Sequence, residues 1–275
     1  MFTHAVRTAN RFTFPYVGLR RRRCGQVNSS IGAFVVINAD GWILTSAHIV
    51  QEILATESES NSAEASGTDA SPESCVRHAE IWAVPGFFGS SPRMAEAIVR
   101  PVADLALARL ENVDPALLTG LPILRDPEEH PIDQGVSVCR LGYPFHNISA
   151  EFDEATGEFQ LPQEAFPVPS FALDGVVSRF HRVNAETENG PESATFIETS
   201  TPGLRGQSGG PLFDVEGRVC GIQSHTVHLD LGFDARYGVG ESVVTERQFL
   251  NVGAATHIAD VIAMLAEANV SYEAG

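Results

Sequence analysis

Apolar residues along this chain fall in short, β-branched-rich runs separated by Gly, Pro, Asn and Asp, with little of the 3.6-residue rhythm of helices. The clearest pair lies within 31–47, where two such runs flank Asn38-Ala39-Asp40-Gly41, which predicts a β-hairpin. His48 follows the second run directly, at the edge of a short helical stretch, IVQEIL. Further strands are predicted at 80–84, 97–110, 136–145 and 171–180, and at ATFIETS. A second hairpin joins PLF to RVCGIQ around Val215-Glu216-Gly217. Residues 256–268 carry Ile258, Val261, Ile262 and Leu265 at helical spacing, with Thr256 as the expected N-cap.

The polar stretches set the divisions. Residues 55–80 are acidic and of low complexity, and are expected as a mobile loop, because they offer too little apolar surface to offset their ordering entropy. A second acidic loop is expected at about 147–169. The expected organisation is an N-terminal extension (1–28), a β-barrel over 29–118, a linker over 119–134, a β-barrel over 135–253, and a C-terminal helix and tail (254–275).

Composition narrows the class. The chain has 275 residues, 43% hydrophobic and 19% charged, enough for a substantial core. A net charge of −17 argues against nucleic acid, which needs a concentrated positive field. The basic run Arg20–Arg23 reads first as a solvated arm, and otherwise as a processing site or a docking arm for an acidic surface. Cys24, Cys75, Cys139 and Cys220 show no CxxC spacing, so free thiols are expected. No signal peptide or transmembrane span is visible, so a cytoplasmic location without membrane association is expected.

Candidate chemistry concentrates at TSTPGLRGQSGGPLFD, residues 199–214. Glycines around Ser208 permit a tight turn that exposes Oγ and aims backbone N–H groups at one point. Gly206-Gln207-Ser208-Gly209-Gly210 also fits the G-x-S-x-G nucleophile elbow, for which Asp234 and His257 could follow in order. That elbow needs a helix after the serine, whereas here a β-hairpin is predicted.

The order His, Asp, Ser instead matches the chymotrypsin-like arrangement. TSAHIV resembles TAAH, VADLALARL resembles the strand bearing the triad acid, and GQSGGPL resembles GNSGGPL. FVVINADGWILTSAHIV, LGYPF and GRVCGIQS resemble segments of the bacterial high-temperature-requirement (Deg) proteases. The resemblance covers about 30–268 without the acidic inserts. It implies an all-β fold of two perpendicular six-stranded antiparallel β-barrels with a C-terminal helix.

It also implies roles. His48, Asp104 and Ser208 would form the triad of a serine endopeptidase, with the backbone N–H groups of Gly206 and Ser208 as oxyanion hole. Thr201, Pro202, Gln223, Ser224, His225 and Thr226 would bind substrate. Ser200, Thr201 and Pro202 bring no carboxylate to the specificity pocket, so a small or medium apolar, or a neutral polar, side chain is expected there. No metal or organic cofactor is expected, and a polypeptide is the expected substrate.

Some features depart from the family pattern. Gln207 stands where Asp or Asn is usual, and no PDZ domain is expected after the terminal helix. Phe12, Phe14 and Tyr16 are candidates for building a homo-oligomer, with a regulatory protein partner as a further expectation. A catalytically silent or latent partner-binding module is the alternative, against which all three triad residues are present.

Overall fold

The computed structural model describes residues 1–66, 71, 73–89, 91–187, 190–239 and 242–275. Its first half comprises α1 (Thr3–Ala9), β1 (Thr13–Arg22), β2 (Val27–Val36), β3 (Trp42–Thr45), α2 (Ala47–Ser66), β4 (Cys75–Trp82), β5 (Arg93–Arg100) and β6 (Leu105–Glu111). The strands form one six-stranded sheet in the order β4-β1-β2-β3-β6-β5. The expected hairpin is β2–β3. Asn38 Oδ1 accepts from the Asp40 and Trp42 N–H groups at 3.1 and 3.3 Å, a side-chain substitute for a backbone turn. Gly41 closes it at φ +84, where a Cβ would lie 2.4 Å from the Leu110 carbonyl oxygen.

The second half comprises β7 (Ile123–Leu124), β8 (Ser137–Gly142), β9 (Glu151–Asp153), β10 (Glu158–Gln160), β11 (Phe171–Thr187), β12 (Gly190–Thr199), β13 (Pro211–Phe213), β14 (Val219–Val239), β15 (Ser242–His257), α3 (Ile258–Glu267) and β16 (Glu273–Ala274). Six of these strands run β13-β8-β11-β12-β15-β14, and a β13–β14 pairing closes them into an antiparallel ring. Val138, Val177, Ile197, Leu212, Cys220 and Ala255 fill the ring. The short strands β7 and β16 add in parallel outside it. The two-barrel expectation thus holds as an all-β pair of sheets. The second is a closed ring. The first shows no pairing between β4 and β5 among the described residues.

Several local expectations are corrected. Residues 1–28 are no extension, since β1 pairs with both β2 and β4. Of the aromatic residues expected to build an oligomer, Phe12 and Tyr16 are buried in the chain's own core, and half-buried Phe14 packs against Phe34. Arg20, Arg21 and Arg22 are no solvated arm either, being ion-paired to Glu52, Glu154 and Glu73. The acidic insert is helical through Ser66, because α2 is already nucleated by the apolar Ile49–Ile53 turn and continuing a helix costs far less than starting one. Its buried Thr56 and Ser60 show one face covered, and Glu59 accepts from the Cys75 N–H at 3.0 Å. Positions 67–70 and 72 of that insert lie outside the described residues.

The 97–110 run is two strands separated by a turn at Pro101–Asp104. The 147–169 loop holds the β9–β10 hairpin, and the 119–134 linker contributes β7 to the second sheet. The terminal helix is capped one residue later than expected, with His257 Nδ1 accepting from the Ala259 N–H at 3.0 Å. Thr256 is instead inside β15, its hydroxyl donating to the Ala103 carbonyl. Among the described residues no helix is long and apolar enough to cross a membrane.

Candidate active site

The chain leaves β3 through buried Ser46, whose hydroxyl donates to the Gln223 carbonyl at 3.0 Å, and enters α2 at Ala47. His48 therefore sits on the first turn of a helix, facing the seam between the two sheets. Asp104 arrives from the turn ahead of β6, with φ +46, a left-handed conformation that aspartate tolerates better than most residues. Its Oδ1 accepts from the His48 backbone N–H at 3.0 Å, and both carboxylate oxygens lie 3.0 Å from His48 Nδ1. Nδ1–H donating to Asp104 leaves Nε2 as the acceptor nitrogen.

The charges reinforce this. The hydrogen bond that His48 donates to Asp104 raises the His48 pKa above its ordinary value, outweighing the opposing effect of burial. Burial pushes the Asp104 carboxyl up. The hydrogen bonds from the His48 ring, Ser224 and the His48 backbone, with the imidazole charge, overcome that and hold it below the usual range.

Ser208 occupies the loop between β12 and β13. The Gln207 N–H donates to the Leu204 carbonyl at 2.9 Å, and Gln207 Oε1 accepts from the Leu204 N–H at 3.0 Å. The glutamine thus ties the loop to itself in the place where Asp or Asn is usual. Gly206 has φ +92, and a Cβ there would lie 2.4 Å from the Tyr143 carbonyl oxygen, so only glycine fits. The Ser208 carbonyl accepts from the Ala33 N–H of β2 at 2.8 Å, joining the loop to the first sheet. No hydrogen bond among the described residues takes up the N–H of Gly206 or Ser208. The Ser208 hydroxyl itself donates to the Ser224 carbonyl at 3.0 Å, and no hydrogen bond joins it to His48.

Two adjoining hollows of about 750 and 520 Å³ share His48, Leu204, Arg205 and Ser208 in their walls. Pro202, Gln223, Ser224, His225 and Thr226, five of the six positions expected to bind substrate, line the smaller one. Thr201 does not line it. Its hydroxyl donates to the Asp174 carbonyl at 3.0 Å and its carbonyl accepts from the Gly253 N–H at 2.8 Å. Ser224 does more than line a wall, because its hydroxyl donates to Asp104 Oδ2 and accepts from His225 Nδ1 at 2.7 Å. The sequence offered no signal for that contact across 120 residues of separation.

The rival order Ser, Asp, His is not assembled. Asp234 is exposed on the β14–β15 hairpin, His257 caps α3, and a strand follows Ser208. Away from the cleft, Glu57, His78 and Glu80 each bring one ligand-type atom within 4.8 Å of the others, a grouping that histidine spacing along the chain does not reveal.

The trypsin-like peptidase domain family matches residues 32–222. A probable periplasmic serine endoprotease, DegP-like, of Pseudomonas fluorescens is 26% identical over 208 residues, 74% of this chain and 31% of that protein. One of the same description from Hahella chejuensis is 27% identical over 216 residues, 78% of this chain and 33% of that protein. The match thus spans about a third of the length of these curated relatives. Their naming as periplasmic overturns the expected cytoplasmic location. Among solved structures, the Rv3671c protease from M. tuberculosis in its active form aligns with a TM-score of 0.52 at 16% identity, covering 98% of this chain and 86% of its own. An HtrA-type protease with a tripeptide aligns at 0.50 and 17%, covering 97% of this chain and 62% of its own. At those identities the structural likeness speaks for the fold.

Proposed function

This chain belongs to the trypsin-like peptidase family, and on that premise we propose that it is a serine endopeptidase whose triad is His48, Asp104 and Ser208. The observation that carries the reading is the His48–Asp104 pair, bonded through ring and backbone, opening on the same cleft as Ser208. The base and acid come from the half that holds the first sheet and the nucleophile from the half that holds the second.

In this reading a polypeptide lies across the cleft, and rotation of the Ser208 side chain moves its hydroxyl from the Ser224 carbonyl to His48 Nε2. Oγ attacks the scissile carbonyl as His48 takes the proton, with Asp104 stabilising the imidazolium. The free N–H groups of Gly206 and Ser208 receive the oxyanion. His48 returns the proton to the leaving amine, and water then cleaves the acyl-enzyme by the same route. The Ser208–Ser224 hydrogen bond also favours a second reading, a resting enzyme that substrate or a protein partner realigns.

The test is a fluorophosphonate probe read by intact mass. Wild type should gain one adduct and Ser208→Ala none, with peptide hydrolysis falling about 10⁶-fold. A wild type that stays unlabelled in the presence of peptide substrate would overturn the proposal.

A further inference from the structure

Arg140 is a charged side chain sealed inside the second sheet. It lies on β8 two residues beyond Val138, so strand alternation turns it toward the same ring interior, and it is 1% exposed. One terminal nitrogen donates to the Thr201 carbonyl at 3.0 Å and the other to the Thr199 hydroxyl. Its Nε has no partner. Among the described residues no carboxylate is paired with it, and burial lowers its pKa only to about 10, so it is charged at neutral pH. Gly253 makes room for it, since a Cβ there would lie 2.2 Å from the guanidinium.

An unpaired buried cation is costly, because neutral oxygens do not replace its hydration. Its location suggests what offsets that cost. Thr201 and Gly253, the backbone it touches, lead directly to the cleft. Pro202 follows Thr201, and Thr226 pairs with Gly253, and both line the hollow beside Ser208. The Thr226 hydroxyl donates to the Gly203 carbonyl, tying the two walls together over this spot. The hollow is lined by Arg205, His48, His225 and His228 and by no Asp or Glu, on a chain whose net charge is −17.

We propose that Arg140 makes the cleft selective for peptides with an acidic side chain, glutamate or aspartate, immediately before the scissile bond. This rests on the endopeptidase reading, and it replaces the neutral preference inferred from Ser200, Thr201 and Pro202. The incoming carboxylate displaces the Thr226–Gly203 bond and reaches the guanidinium, gaining a charge-assisted hydrogen bond in a water-poor site. An arginine or lysine there meets like charge.

Full-length protein is assayed with peptides differing only at that position: Glu, Asp, Gln, Leu or Arg. Glu or Asp should exceed the isosteric Gln at least tenfold in kcat/KM, with Arg slowest. Arg140→Met should bring the Glu-to-Gln ratio to near one without lowering the melting temperature, since it leaves no charge unpaired. A wild type that cuts Gln or Leu as well as Glu, or a variant that keeps the preference, overturns the proposal. Binding is read separately by calorimetry on Ser208→Ala with the same peptides, where acidic ones should bind at least tenfold tighter than Gln. Equal affinities remove the selectivity whatever the cleavage result. A kept preference in binding with no cleavage by wild type removes the endopeptidase reading alone.

Discussion

The two sheets hold their shares of the site in different ways. From the first, His48 and Asp104 reach the cleft already joined through the ring N–H and the backbone N–H of His48, with the Asp104 backbone committed to a left-handed turn that aims its carboxylate. From the second, the Ser208 backbone is just as firmly fixed, by Gly209 N–H to the Gln223 carbonyl at 2.8 Å and by the Gln207 bonds, yet its hydroxyl points at the Ser224 carbonyl. In the proposed mechanism one half is finished before substrate arrives, and in the other a side-chain rotation is left to make. A pair of ionisable groups rewards prior assembly, because each stabilises the charge of the other. A neutral hydroxyl has no such pull, and rests on the nearest carbonyl.

The harshest way to break this contrast is Asp104→Asn, which keeps the shape and removes the charge. Turnover should fall about 10⁴-fold, while labelling of Ser208 weakens without loss of the fold, as judged by melting temperature. A loss below tenfold would show that the first half owes nothing to prior assembly.

Next in size is the pH response. The pKa of His48 is raised, so the neutral imidazole that the proposed mechanism needs is regained only as pH climbs past the ordinary value of about 6.5. Acid inactivation should therefore be half complete above 6.5 in a kcat/KM profile, and lie at lower pH in Asp104→Asn. The sign for stability is opposite: the pairing stabilises the fold fully below the unfolded pKa and is lost as pH rises through the folded one. An acid limb below pH 6 in wild type would contradict the pairing.

The smallest effect is expected from Ser224→Ala. It removes one donor to Asp104 and the partner of His225 Nδ1, but leaves the carbonyl that holds Ser208. Activity should drop less than tenfold, with the acid limb displaced only slightly. A hundredfold loss would mean that Ser224 belongs with His48 and Asp104 rather than beside them.

What the sequence revealed follows how local the signal is. The segments around His48, Asp104 and Ser208 are contiguous, and glycines at 206 and 209 mark a turn that only they allow. The β2–β3 hairpin was legible from its turn residues for the same reason. Strand β1 was not, because its apolar residues and its arginines are explained only by partners far along the chain, in β4, in α2 and in the acidic inserts. Helix α2 outran its composition because it inherits a nucleus from the Ile49–Ile53 turn. Nothing in the local sequence marks Arg140, a single charged residue in an apolar strand. Its burial depends on Thr199, Thr201 and Gly253, and no spacing along the chain announces them.

Ring closure has a consequence for timing. β14 carries the Gln223 carbonyl that pins Gly209, and it pairs along most of its length with β15, the last long strand of the chain. If the proposed triad is right, the imidazole and carboxylate are made well before the strands that brace the Ser208 backbone, so a chain that ends ahead of β15 should carry all three side chains and fail to cleave peptide.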